Sequence, residues 1–218
     1  DDIMARILIT SGPTRQYLDP VRYLTNASSG RMGKALADAA VAAGHEVVII
    51  SGPVEVQYGD GMEVIPVIST EELLAAADKV FESCDGAIGV AAPCDYRPTQ
   101  VEEHKISKTG EPLVLHLIET PDVVATVGAK KRSDQWVVGF ALETDDHRFR
   151  AIRKLEEKSC DLIVLNSPAA MNAINTRVEI LNPSGRVIQA TEGSKLDVAS
   201  RIIATIDEHL LIPTHPHE

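Results

Sequence analysis

Short apolar runs bounded by turn residues, and separated by stretches of helical periodicity, constrain this chain more than any other feature. They are Ala5 to Ser11 (ARILITS), His45 to Ser51 (HEVVIIS), Asp85 to Ala92 (DGAIGVAA), Trp136 to Leu142 (WVVGFAL) and Asp161 to Asn166 (DLIVLN). Apolar residues at consecutive positions suit strands covered on both faces. Between the runs, Arg31 to Ala43, Glu71 to Cys84, Thr120 to Lys131 and Asp145 to Ser159 read as helices. Ser69 or Thr70 before a Glu-Glu pair is a capping signal for the second, and Pro121 takes the first helical position of the third. Strands alternating with helices predict an α/β fold with a doubly wound, mostly parallel sheet and right-handed crossovers. Met62 to Ile68 reads as a further strand, and Pro66 demotes it to an edge.

The pattern breaks in two places. Pro93 to Pro112 is a polar segment of about 20 residues without periodicity, the signature of a lid or binding loop. Leu113 to Glu119 then reads as a strand. From Thr176 the residues RVEILNPSGRVIQAT form two alternating runs around Asn182-Pro183-Ser184-Gly185, a hairpin over 176–192. Such a hairpin either extends the sheet or pairs with a second subunit. Ser194 caps a closing helix over 194–211. With no internal repeat or linker, the expectation is one domain over 1–218 with its core in 5–175, and 218 residues suffice to bury a full core.

A net charge of −11 argues against a nucleic-acid backbone as partner, because that ligand requires a basic face, while a few lysines can still converge on a small anion. Cys84, Cys94 and Cys160 show no metal-ligand spacing, which fits free thiols in a reducing cytoplasm. The start DDIMARILIT has no signal-peptide pattern, and no apolar run has the length of a membrane span. His104 and His116 lack ligand spacing, and the Pro- and His-rich tail reads as a frayed end.

In a doubly wound sheet, ligands sit beyond the carboxyl ends of the strands. The polar segments after Thr10, Ala92, Leu142 and Asn166 all leave that edge. The first, Thr10 to Gly33, ends in Asn26-Ala27-Ser28-Ser29-Gly30 immediately before a helix. Free N–H groups at a helix start, small residues and two hydroxyls suit a phosphate. The alternative is a serine N-cap with glycines for tight packing. Lys154 and Lys158 share a helix face, where they serve either as a solvated stripe or as ligands of an anion that relieves their repulsion. Lys105 and Lys108 sit in the long loop, where a lysine can neutralise phosphoryl charge or simply face solvent. Asp95, directly after a buried strand, suits Mg²⁺, a ribose hydroxyl or a plain turn. Phe140 faces either a base or the core. Cys94 has no neighbouring histidine to activate it and reads as a plain thiol.

The segments ITSGPTRQYLDPVRYLTNASSGRMG, GVAAPCDYRP with HKISK, TPDVV, VVGFALET and KLEEKSCDLIVLN resemble the phosphopantothenoylcysteine synthetase family, in order over nearly the whole chain. The resemblance implies a Rossmann-like fold, a homodimer and a ligase that joins 4′-phosphopantothenate to cysteine with CTP and Mg²⁺. It implies that Asn26 handles an acyl-cytidylate and that Lys105 supports its formation. Arg22 and Ala92 would hold phosphopantothenate, with Ser28, Ser29 and Gly30 at the helix start. Nucleotide contacts would come from Gly89, Val90, Ala91, Asp95, Lys105, Pro121, Asp122, Val123, Val124, Phe140, Lys154 and Lys158. The triphosphate would carry most of the metal's ligands, with Asp95 as the protein candidate. Pro93-Cys94 replaces small apolar residues before the Asp, which implies a stiffer loop, and Ser107 thins the lid lysines. Bacterial relatives often carry a decarboxylase domain ahead of this one, so the chain is expected to stand free or to be excised, with a decarboxylase as candidate partner. The rival readings are an NAD(P)-dependent oxidoreductase and a non-enzymatic nucleotide-binding protein. The first strand-to-helix connection is too long for the dinucleotide fingerprint.

Overall fold

The computed structural model describes residues 3–142, 147–166 and 176–211. Strand β1 (Arg6–Ser11) leads through a small hairpin, β2 (Arg15–Tyr17) and β3 (Tyr23–Thr25), to helix α1 (Arg31–Ala42). Then follow β4 (Glu46–Ser51), β5 (Met62–Pro66), α2 (Thr70–Phe81) and β6 (Gly86–Gly89). A second small pair, β7 (Tyr96–Pro98) and β8 (Leu117–Glu119), precedes α3 (Val123–Lys130). The chain continues through β9 (Trp136–Leu142), α4 (His147–Glu157), β10 (Leu162–Asn166), β11 (Thr176–Leu181), β12 (Val187–Gly193) and α5 (Lys195–Ile206). A wider, π-type turn over Asp207–Leu211 extends α5.

An 8-stranded sheet runs in the order β12-β11-β10-β9-β6-β1-β4-β5. Every pair from β10 to β5 is parallel, and β11 and β12 add antiparallel strands. The fold is α/β and Rossmann-like, as expected. The chain leaves β1 towards β4 and β5, then returns to the other side of β1 as β6. That reversal opens a crevice between the carboxyl ends of β1 and β6.

Alternation along the strands builds a core on each face. Ile7 and Ile9 pack with Leu36 of α1 and with Val198, Ile202 and Ile203 of α5. Leu8 faces the opposite layer, where Leu73 and Phe81 of α2 meet Val123 and Val127 of α3. Continuous apolar strands thus serve two helical layers at once. Gly33 brings α1 close to β1, since a Cβ there would stand 2.5 Å from the Ser11 Cβ.

Several expectations need correction. The helix placed from Thr120 starts at Val123, and Pro121 lies outside it. Asp122 takes the cap position because its carboxylate accepts the Ala125 N–H at 2.9 Å. Of the strand expected over 113–119, β8 alone forms, and it pairs with β7 outside the main sheet. The segment over 93–112 is therefore not wholly irregular. Thr10 to Gly33 contains a hairpin that its polar composition hides. Ser29 does not cap α1; Gly30 does, at φ 73° and without a side-chain bond. Ser69 caps α2 with a full capping box. The C-terminal hairpin extends the sheet, with Val178, Ile180 and Leu181 buried in the core. Asp145, Asp146 and the segments following Leu142 and Asn166 lie outside the described residues.

Candidate active site

Beyond the strand ends, the loops after β1 and β6 stay side by side. Pro13 bridges Ala92, and the Ala92 N–H donates to the Gly12 carbonyl at 2.9 Å. Asn26 joins the same junction: its side-chain amide donates to the carbonyls of Ala92 and Pro93 at 3.2 and 2.9 Å. Asn26 and Ala92, far apart in sequence, are neighbours.

Next to this junction lies a cavity of about 360 Å³. Gly89, Ala91, Asp95, Pro121, Asp122, Val123, Val124, Phe140 and Lys158, singled out above, all line it. Gly89 allows α3 to approach the sheet here, because a Cβ would stand 2.4 Å from Val124 Cγ2. Val90 is partly buried against the α1–α5 layer on the other face. Lys105 and Lys154 are absent from this wall, and Lys154 is half-buried one turn before Lys158. Ser28, Ser29 and Gly30 line neither this cavity nor the second one described below.

Lys158 reaches this cavity from the opposite edge of the sheet. It follows α4 at the amino edge of the sheet, opposite the cavity. Its carbonyl lies against Gly128, where a Cβ would come within 2.0 Å. From that close approach its side chain runs along α3 and places Nζ 2.9 Å from Asp122 Oδ2. Asp122 therefore caps α3 with one oxygen and pairs with Lys158 through the other. The amides of Val123 and Val124 have no intrahelical acceptor, and they border the cavity at the positive end of the helix.

Asp95 is held through its backbone. The Cys94 N–H donates to the Thr14 hydroxyl at 2.8 Å, and the Thr70 hydroxyl donates to the Cys94 carbonyl at 3.1 Å. Thr14 and Thr70 lie 2.8 Å apart, so Thr14 is the donor between them and the ring closes. Thr120 adds a second hydroxyl to the Cys94 carbonyl at 2.6 Å. The Thr120 N–H donates to the Asp95 carbonyl at 2.9 Å. Burial pushes the Cys94 thiol up, which leaves it a poor nucleophile.

The β2–β3 turn holds a residue that sequence reasoning missed. Asp19 is fully buried, and its Oδ1 accepts the N–H groups of Val21 and Arg22, each at 2.8 Å. Oδ2 accepts Arg22 Nη1 at 2.7 Å and the Ile106 N–H at 3.0 Å. Arg22 Nη1 also donates to the Ile106 carbonyl at 3.1 Å. Burial pushes the Asp19 carboxyl up, but the N–H groups of Ile106, Val21 and Arg22 and the Arg22 charge more than reverse this, leaving it below the usual 3.8. The signal was present as Asp-Pro with Arg three residues on, a turn with a built-in ion pair. Lys105, beside Ile106, lines a second cavity of about 430 Å³ with Leu18, His104, His116 and Leu113 to Leu115.

The first cavity presents Asp95, Glu119 and Asp122 against Lys158. An anionic ligand there requires further positive charge. Among the described residues no three His, Cys, Asp or Glu side chains converge as a metal cage. Asp95, Glu119 and Asp122 are the carboxylates on this wall that a cation could meet.

The chain is similar to known proteins over most of its length. The chain is 40% identical over 205 residues to the Coenzyme A biosynthesis bifunctional protein CoaBC of Bacillus subtilis (strain 168), covering 92% of this chain and 50% of that protein. It is also 40% identical over 206 residues to a cysteine/cysteine sulfinic acid decarboxylase of an unknown prokaryotic organism, covering 92% of this chain and 57% of that one. The chain thus spans about half the length of these relatives. Among solved structures, the crystal structure of the C-terminal domain of CoaBC matches with a TM-score of 0.80 at 35% identity, over 94% of this chain and 95% of that one. A Cab2 H337A mutant in complex with phosphopantothenate-cysteine shares the fold, with a TM-score of 0.76 at 16% identity over 94% of this chain and 87% of that one. Residues 4–210 match the family described as DNA/pantothenate metabolism flavoprotein C-terminal domain, and the chain belongs to that family.

Proposed function

We infer that the chain is a ligase that condenses 4′-phosphopantothenate with L-cysteine at the expense of CTP. One observation carries the reading: Asn26 reaches across to Ala92 and Pro93 at the rim of the cavity that Asp95, the start of α3, Phe140 and Lys158 enclose. A side-chain amide bound to the Ala92–Pro93 turn, an anion-ready helix start and a lysine rooted at the opposite edge of the sheet come together near one topological switch point.

In this reading the triphosphate lies against the Val123 and Val124 amides and takes Lys158 from Asp122. The phosphopantothenate carboxylate attacks the α-phosphorus, the bond to the β-phosphate oxygen breaks and pyrophosphate leaves. The cysteine amine then attacks the acyl carbon of the acyl-cytidylate, CMP departs and the ammonium proton passes to water. Asn26 is the residue proposed to meet the acyl group. Arg22 and Ala92 hold the phosphopantothenate, and Lys105 neutralises developing charge when the loop that carries it closes towards the cavity. Mg²⁺, bound by the triphosphate with Asp95 as its protein ligand, would supply further charge neutralisation.

The first connection supports a ligase over an NAD(P) oxidoreductase. A dinucleotide fingerprint requires a tight strand-to-helix turn, and here a hairpin separates β1 from α1. The two relatives bear different names over the same matched stretch, so the name decarboxylase does not carry over with that stretch. Their remaining length suggests a decarboxylase unit as fused or separate partner. Val101, Leu113 and Val114, exposed at 54%, 59% and 72%, support a homodimer that covers them. Among the described residues no helix is long and apolar enough to cross a membrane, and the proposed setting is the cytoplasm.

The test is incubation with phosphopantothenate, cysteine, Mg²⁺ and either CTP or ATP, following pyrophosphate and the nucleoside monophosphate. CTP-dependent release of both, lost in Lys105→Gln without loss of fold, is the expected result. Nicotinamide reduction without pyrophosphate, or nucleotide binding without turnover, would overturn the reading.

A further inference from the structure

The buried carboxylate of Asp19 does more than close its own turn. Its Oδ1 bonds stay within the β2–β3 hairpin, whereas Oδ2 bonds to Arg22 Nη1 and crosses to the Ile106 N–H. Arg22 returns to the Ile106 carbonyl, so the pair grips both polar groups of one peptide residue. A third crossing bond runs from the Glu102 N–H to the Leu18 carbonyl at 2.9 Å. Leu18, Lys105 and Ile106 all line the second cavity, so this junction forms part of its wall. A fully buried carboxylate costs desolvation, and here four donors offset it, one of them in a loop 87 residues away. Nothing in the folding of the hairpin requires that distant donor.

We propose that Asp19 is a positioning residue for Lys105: with Arg22 it clasps the backbone of Ile106 and so fixes where the neighbouring lysine begins its reach. The proposal rests on the reading of Lys105 as the activating lysine. The clasp uses Nη1 of Arg22, and the guanidinium carries further N–H donors for the substrate anion assigned to it, so one side chain can serve both.

Asp19→Asn tests this cleanly. The amide keeps an oxygen for Val21 and Arg22 but turns an NH₂ towards Ile106 and the guanidinium, donor against donor. Hydrogen exchange of the Ile106 amide should quicken by about tenfold or more, as expected for loss of a charge-assisted bond. The kcat should fall, and Asp19→Asn should add little to the loss already present in Lys105→Gln, since both remove one function. Unchanged Ile106 exchange, native turnover despite faster exchange, or an additive loss in the double variant would each overturn the proposal. Full turnover by Lys105→Gln alone would remove the lysine's role and this proposal with it, while the exchange rates would still report whether the clasp exists. If Asp19→Asn fails to fold, Ile106→Pro deletes the donated N–H from the loop side. Turnover should then fall and Glu102 exchange should quicken; native values of both would refute the clasp.

Discussion

Asp122 performs two tasks with two oxygens, and substitution can separate them. Asp122→Ala removes the Oδ1 bond to the Ala125 N–H, a cap worth about 1 kcal/mol. It also removes the ion pair with Lys158, whose side chains are 26% and 47% exposed. Screening at that exposure limits the pair to about 0–1 kcal/mol. The total, about 1–2 kcal/mol, corresponds to roughly 2–8 °C in Tm for a domain of this size. Asp122→Asn keeps the cap, because Asn serves there as well as Asp, and loses the charge alone. Asp122→Asn should therefore lie close to the native protein in urea or thermal unfolding, with Asp122→Ala clearly below both. Binding should move the other way. The pair is what an incoming phosphate must displace, so CTP affinity should rise in Asp122→Asn by up to about fivefold, the same 1 kcal/mol read as an equilibrium constant. Equal destabilisation by the two variants would refute the division of labour. Weaker CTP binding by Asp122→Asn would refute the view that carboxylate and phosphate compete for Lys158.

Asn26→Asp sets a carboxylate against the Ala92 and Pro93 carbonyls that now accept its amide protons; turnover should fall by at least about tenfold as those bonds are lost, and an unchanged rate in the pyrophosphate assay would remove Asn26 from the site. Asp19, held below the usual 3.8, contributes stability that is present above that value and lost as pH falls through its lower folded value; Asp19→Asn should flatten this acid limb of the unfolding curve, and an unaltered limb would contradict it. Cys84, Cys94 and Cys160 are buried with raised thiols, Cys160 up to about 11, so a disulfide reagent at about pH 8 should titrate none of them before unfolding; fast reaction of any one would contradict the packing.

The inner parallel strands β1, β4, β6, β9 and β10 were legible because each is largely apolar at consecutive positions, the pattern that suits cover on both faces. Pro66 marked the edge strand correctly, since a residue without an N–H fits where one side of the ladder is open. Other features were hidden for physical reasons. The residues Arg15, Gln16 and Tyr17 have no two-residue period, and their pairing with Tyr23 to Thr25 rests on backbone bonds that any side chains permit. The start of α3 was misplaced because a proline preference competed with the stronger attraction of a carboxylate for the third amide. Leu113 to Leu115 are apolar yet exposed, and periodicity cannot tell a core strand from an uncovered surface. The threonine ring around Cys94 joins residues from three distant segments, so no local pattern could show it.

The route of Lys158 turns α3 into a ruler. The lysine is anchored where Gly128 meets its carbonyl, and its ammonium arrives at Asp122, six helical positions earlier. That interval is about 9 Å of helix, close to the limit of one extended side chain plus its partner's. One more turn would add about 5.4 Å and strand the cation short of the helix start. Surface connections can lengthen at small entropic cost. This span cannot lengthen at all, and an inserted turn here would leave a folded protein with its charge in the wrong place.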